Sequence, residues 1–289
     1  MKKAIRFTNI LYLPVLFLLI ALIIVPFLNG IRISFTDWNG FSQEYNYVAF
    51  QNFKVMFEDP NVQTALLNTF LFGFGSTILQ QIIGISYAVF LNTKFFANNI
   101  TRIIIYLPVL IAPIVMGYMW TFLLKSDGGA LNDVLKLIGL KPVVWLSDPA
   151  LIKVIYIFIN SIQYVGVSMI IYLAGLQGIP KMYYEAAEID GASSWNKFRK
   201  ITLPLLYPAI ITSATLNLIG GLKIFDIIKA LTNGTPGYTT NSLSTLINRT
   251  YFGTQQAGYA SVQGLLLFIT ILAVTLVLQF ILRKRGVEY

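Results

Sequence analysis

Four polar side chains, Asn160, Gln163, Tyr164 and Ser168, recur at i, i+3, i+4 and i+8 inside an otherwise apolar stretch. On a helix that spacing gathers them on one face. Amides and hydroxyls so placed can hydrogen-bond the hydroxyls of a ligand, and the Tyr164 ring offers a flat surface to its apolar side. In a second apolar stretch, Asn217 stands one turn before Gly220 and Gly221, whose missing side chains would leave room for a bound molecule. Polar groups inside lipid turn toward a cavity or toward a neighbouring helix. Both uses, ligand contact and helix–helix hydrogen bonding, are open to these residues.

Much other chemistry is excluded. The chain contains no histidine and no cysteine, which removes thiol catalysis, disulfides, His-containing metal sites and every Ser-His or Cys-His arrangement. No G-x-x-x-x-G-K-[ST] phosphate loop is present, so the chain has no visible means of hydrolysing ATP. No pair of acids lies inside an apolar run. What remains is a transporter subunit, a self-sufficient carrier, or a structural or receptor-like membrane protein.

The elements that must position these residues are membrane helices. The 289 residues are 56% hydrophobic and 11% charged, with a mean hydropathy of +0.70. Six uncharged apolar runs, 7–31, 60–93, 103–124, 154–180, 201–222 and 250–282, are each long enough for a crossing of about 20 residues. The first exceeds the h-region of a signal peptide and no small-x-small pattern closes it, so it is read as a span. A seventh run, 230–248, is rich in Thr, Asn, Gly and Pro and reads as a loop. Pro108 and Pro113 are expected to kink the third helix. With the N-terminus cytoplasmic, the inside segments carry twelve Lys and Arg against nine outside, in about half the length. This bias accounts for the net charge of +9 without nucleic acid. Gln80, Gln81, Gln263 and Gln279 read as packing or interface residues, and Lys223 with Asp226 as a locally neutralising pair. Trp38, Tyr45, Tyr47 and Phe50 read as interfacial aromatics.

One segment departs from the apolar rule. After Pro180, the residues Met182, Ala186 and Ile189 give a short apolar face, with Lys181, Glu185 and Glu188 on others. Gly191 ends this amphipathic helix, Ser193 or Ser194 caps the next, and Pro204 suits the opening turn of the following membrane helix. A helix, bend, helix element presented to the cytosol results.

Here the residues carry a resemblance. Glu185-Ala186-Ala187, three residues, Gly191, nine residues, then Ile201-Thr202-Leu203-Pro204 matches the EAA signature of the permease subunits of bacterial binding-protein-dependent ABC importers at every specified position. "YLPVLIAPIV" (106–115), "KITLPLLYPAI" (200–210) and "FDIIKALTNGTPGYTT" (225–240) also resemble the sugar-importer branch that includes the first maltose permease subunit. The likeness covers nearly the whole chain and is densest from about 65 to 283. It differs from the maltose subunit in lacking extra N-terminal helices and a large outside domain, and in reading "LTNGTPG" where adjacent glycines are usual.

The resemblance implies an all-α integral membrane protein with six transmembrane helices in the type I ABC importer permease fold. Residues 1–64 would hold the first helix and outside loop, 65–283 the transmembrane core, and 284–289 a cytoplasmic tail. The segment 180–191 would be the coupling helix, with Met182, Glu185, Ala186, Ala187, Gly191, Leu203 and Pro204 in contact with, or shaping, the ATPase interface. Asn160, Gln163, Tyr164, Asn217 and Gly221 fall where relatives place substrate contacts. Implied partners are a second homologous permease, two copies of a cytoplasmic ATPase that binds ATP and Mg, an extracytoplasmic sugar-binding protein and membrane lipid. No cofactor or metal is expected in this chain, which would act in the bacterial cytoplasmic membrane with both termini inside. A sugar is the expected cargo; the alternatives are a glycerol-phosphate or polyol importer and an autonomous ion-coupled carrier.

Overall fold

The structure, a computed structural model, describes residues 12–93 and 96–283. Lys2, Lys3, Arg6, Lys94, Lys284 and Arg285, which contribute to the charge bias, and the tail 284–289 lie outside the described residues. Regular structure among the described residues is helical, apart from an isolated bridge between Thr36 and Tyr47. Among the described residues five helices are long and apolar enough to cross a membrane, and a bent pair makes up to six. The all-α expectation therefore holds.

The chain folds as two compact units, Met1–Val62 with Ile247–Phe268 and Gln63–Leu246 with Ile269–Tyr289, as far as the described residues reach. The first unit contains α1 (Leu13–Ile33), none of whose residues is buried. A helix apolar on all sides is at equilibrium in lipid and not in water. Pro26 lacks the N–H for an ordinary bond one turn back, and the preceding turn, Ile20–Ile24, is widened, with Val25 N–H reaching the Ile20 carbonyl. A short helix, α2 (Gln51–Glu58), follows the first loop, where Asn52 Nδ2 donates to the Ser34 and Thr36 carbonyls at 2.9 and 2.8 Å. Tyr259 Oη donates to Asp59 Oδ2 at 2.8 Å in the same unit.

The second unit is organised on α7 (Pro149–Gln177), about half of whose residues are buried. Asp148 caps it by accepting from Ala150 N–H at 2.9 Å, and Pro149 occupies the first turn, where no N–H is needed. Packed on α7 are α3 (Pro60–Leu91) and α10 (Tyr207–Leu222). One cluster joins Phe72, Ile152, Tyr156, Ile159, Ile227 and Ile228; another joins Ala88, Leu91, Met169, Tyr172, Leu176 and Leu206. Within lipid such contacts are held by close packing, because burial from lipid removes no apolar surface from water.

The third apolar run differs from expectation. It forms α4 (Asn98–Leu110) and α5 (Pro113–Leu123), which meet at 98° across Ile111 and Ala112. Pro108 is tolerated inside α4, whereas Pro113 opens α5 and holds Ala112 extended at ψ 133°. A break replaces the expected kink. The run 230–248, read as a loop, contains the end of α11 (Asp226–Leu231) and all of α12 (Leu243–Asn248). Ser242 Oγ accepts from Thr245 N–H while Thr245 Oγ1 accepts from Ser242 N–H, a reciprocal cap. The remaining elements are α6 (Ala130–Leu137), α8 (Met182–Ile189), α9 (Ser194–Lys197, continued by a wide turn through Phe198–Thr202 and a single turn at Leu203–Leu205) and α13 (Ala257–Arg283).

Candidate functional site

Two regions of the second unit carry the candidate residues. The first is a cavity of about 410 Å³ between α3, α7 and α10, lined among others by Gln80, Asn160, Tyr164, Asn217, Gly220 and Asp226. Its size is in the range of small-molecule sites. Asn160 and Asn217 are buried and Tyr164 is half-buried. Asn217 Nδ2 donates to Ser168 Oγ, which fixes its amide, and Ser168 is not in the lining.

Gln163 has a different task. It lies outside the lining, fully buried, and its Nε2 donates to the Ile111 carbonyl at 3.0 Å. That carbonyl sits at the α4–α5 break, where helical pairing has stopped. Gln163 thus satisfies a backbone acceptor freed by Pro113, a group that left bare in the membrane would cost several kcal/mol.

The paired glycines also divide their labour. A Cβ on Gly221 would lie 2.8 Å from Ser76 Oγ and 3.0 Å from Gly73 Cα, so its bare backbone is what lets α10 approach α3. A Cβ on Gly220 would meet nothing within 4 Å. Room in the cavity comes from Gly220, although both glycines touch it.

Three polar lining residues were not read as ligand contacts in the sequence. Gln80 Nε2 donates to the Asn160 carbonyl at 2.9 Å, while its buried Oε1 has no hydrogen-bond partner among the described residues. Lys223 and Asp226 line the cavity too, and no ion pair joins them among the described residues. The cavity therefore carries a free amide acceptor, a carboxylate and an ammonium beside the amides and phenol that periodicity revealed. The signal for Lys223 and Asp226 was charge at the very end of an apolar run. For Gln80 it was only a second polar residue in a span.

The second region is α8. Its C-terminus closes through Ala192 N–H to the Ala187 carbonyl at 2.9 Å and Gly191 N–H to the Glu188 carbonyl at 3.0 Å, with Gly191 at φ +70°. This double closure requires a left-handed residue, which glycine adopts without strain. No atom lies within 4 Å of a Cβ built on Gly191, so conformation and not space demands glycine. Ser193 Oγ then accepts from Asn196 N–H and caps α9. Lys197 Nζ meets Glu188 Oε1 at 2.8 Å, and the Tyr184 and Thr202 hydroxyls lie 3.0 Å apart, which ties α8 to α9.

Met182, Glu185, Ala186 and Ile189 are all exposed, Ile189 at 88%. At i, i+3, i+4 and i+7 they form one continuous face, so Glu185 borders the apolar residues instead of standing apart. Ala187 and Tyr184 turn the other way and are half-buried. Leu203 is half-buried and Pro204 exposed in the single turn before α10, which itself opens at Tyr207-Pro208. Pro204 thus precedes the membrane helix by a few residues and is not in its first turn.

The family described as "Binding-protein-dependent transport system inner membrane component" matches residues 80–286. A probable starch degradation products transport system permease protein of Thermoanaerobacterium thermosulfurigenes is 32% identical over 292 residues, covering 99% of each chain. A trehalose/maltose transport system permease protein of Thermococcus litoralis is 32% identical over 93% of this chain and 90% of its own length. Among solved structures, a chain of a bacterial ABC transporter involved in import of the acidic polysaccharide alginate superposes with TM-score 0.85 at 25% identity, over 98% of this chain and 96% of that one.

Proposed function

The chain belongs to the family of binding-protein-dependent transport system inner membrane components, and from that premise we infer that it is the permease subunit of an ATP-driven sugar importer. It is a multi-pass inner-membrane protein, and subunits of this kind hold no ATPase site. Energy is therefore supplied by a partner, taken to be two copies of a cytoplasmic ATPase that bind ATP and magnesium. A second permease of the same fold completes the pathway, and a binding protein delivers the cargo. The N- and C-termini and α8 face the cytoplasm in this reading, as the distribution of Lys and Arg supports.

The observation that carries the reading is the exposed face Met182, Glu185, Ala186 and Ile189 on a helix held by its Gly191 cap. An apolar and acidic face outside the membrane spans suits a cleft on a basic partner surface. Glu185 would make a charge-assisted contact there, worth about 1.5–3 kcal/mol. Ala186 and Ala187 allow close approach, and the α9 turn through Leu203 and Pro204 passes the movement to α10. At the other end, Asn160, Tyr164, Asn217 and Gly220 with Gln80 and Asp226 contact the sugar, while Gln163 and Gly221 hold the helices that frame it.

Cargo class follows from relatives and from charge. Permeases for starch degradation products, trehalose/maltose and arabinooligosaccharides are among the chains it resembles. With Lys223 opposed by Asp226 in the lining, the cavity has no concentrated positive charge for a phosphate ester. An uncharged mono- or oligosaccharide is favoured over glycerol phosphate. The test is uptake of labelled neutral oligosaccharides by vesicles carrying the complete importer, with ATP or with only an ion gradient. Accumulation with ATP alone is expected; accumulation driven by the gradient would identify an ion-coupled carrier instead.

A further inference from the structure

Between α5 and α7 the chain makes a short excursion that carries α6 (Ala130–Leu137) and leaves apolar side chains uncovered by the other described residues. Val134, Leu137 and Ile138 stand at i, i+3 and i+4, all exposed, Leu137 at 86%. Leu140 and Val144 extend the patch beyond the helix. Patches of this kind on an element outside the spans mark an interaction surface.

The excursion is pinned at the height of the helix ends. Asn132 is buried, and its Nδ2 donates to the Ser126 carbonyl at 3.1 Å and the Val143 carbonyl at 2.9 Å. Its Oδ1 accepts from Val143 N–H and from Trp145 Nε1, each at 3.0 Å. Ser126 is three residues past the end of α5, so α6 cannot lift away from that end. Leu131, Trp145 and Leu146 pack against the core cluster that includes Leu124, which follows α5, and Ile152, in the first turn of α7. The flanking helices show lipid-type surface next to it: Phe122 and Val154 are exposed, and Lys125 Nζ lies 4.7 Å over the Phe122 ring. An ammonium held over the face of an exposed ring at a helix end is a cation–π contact, and it places a charge beside the apolar surface at that end.

We propose that α6, with Leu140 and Val144, lies in the membrane–water interface, with Val134, Leu137 and Ile138 in the acyl boundary of the bilayer. The occupant is lipid. The pinning by Asn132 sets the patch at the level where bilayer begins, the exposed surfaces of α5 and α7 run into it, and the Lys136–Asp133 pair stands off the apolar face toward the headgroups. The proposal depends on the spans crossing a membrane and not on the cargo.

The chain has no cysteine, so a single cysteine introduced into it is its one labelling site, and the importer carrying the unsubstituted chain serves as the background control. L137C, I138C and K136C would each be labelled with bimane in the assembled importer, in phosphatidylcholine–phosphatidylglycerol vesicles, and quenched by doxyl-lipid or by iodide. At positions 137 and 138, doxyl-lipid quenching at least about twofold stronger than at 136 is expected, with the opposite order for iodide. V134C gives the same reading if L137C fails to assemble. Iodide quenching at 137 and 138 equal to that at 136 would overturn the proposal. So would protection from both quenchers, or loss of lipid quenching when the binding protein is added, since each would assign the face to a protein.

Discussion

The cavity and α8 lie in one compact unit yet are built on opposite rules. Around the cavity, polar groups are buried and glycines permit contact: Gln163 meets Ile111, Asn217 meets Ser168, and Gly221 meets Gly73. On α8 the polar and apolar side chains point outward together, and the glycine serves a turn with nothing near it. A buried polar residue in lipid must be paired internally or face a site, whereas an exposed apolar residue outside the spans needs a partner. The cavity is framed by contacts within one unit, whereas the exposed face of α8 is left to the partner proposed for it.

Substitutions that separate the two regions sharpen this contrast. The largest effect is expected for Gly191→Pro, which cannot adopt φ +70° and removes the N–H that reaches the Glu188 carbonyl. Uptake should fall by roughly tenfold or more while the membrane core stays folded, judged by thermal unfolding of the purified subunit. Wild-type uptake in that variant would detach α8 from function.

Gly221→Ala should act in the reverse sense, costing about 1–3 kcal/mol of stability through overpacking against Ser76 and Gly73. Gly220→Ala, one residue away, should stay within about 0.5 kcal/mol in the same unfolding assay and alter uptake alone. Equal destabilisation by both would erase the division drawn between them. Gln163→Leu should cost about 1–3 kcal/mol by leaving the Ile111 carbonyl unpaired, with a lowered melting temperature as the readout. If it lowered uptake at unchanged melting temperature, Gln163 would be a cargo contact after all. The smallest effect is expected for Lys197→Ala, since Glu188 in that pair is largely solvated; a stability change of at most about 1 kcal/mol should appear.

What was legible in the sequence depended on how local the cause was. The spans could be read because uncharged runs and lipid thickness set them residue by residue, and the Glu185 to Gly191 pattern because helix and cap lie within one short segment. Spacing on single helices singled out Asn160, Tyr164 and Asn217, and these line one cavity. The roles of Gln163 and Gly221 were not legible there, because each is decided by what a distant helix presents: a freed carbonyl at Ile111, and Gly73 at contact distance. Gln80 was passed over for the same reason, its partner Asn160 being eighty residues away. The α4–α5 break was half visible: Pro113 signalled it, but a 98° turn needs a group able to satisfy the exposed backbone, and that group is on α7. Ser242 and Thr245 hid the start of α12, because threonine stands where the capping pattern usually has Glu or Gln.

The central claim is that energy enters this chain through α8. Its most direct test is to purify the tagged chain from its native host in mild detergent, beside a Glu185→Lys form, and to quantify the accompanying proteins by mass spectrometry. Recovery of a second permease with both forms, and of an ATPase with the wild type that is weakened at least about tenfold by Glu185→Lys, is the predicted result. An ATPase retained equally by both forms, or a chain that comes out alone and moves sugar without ATP, would contradict it.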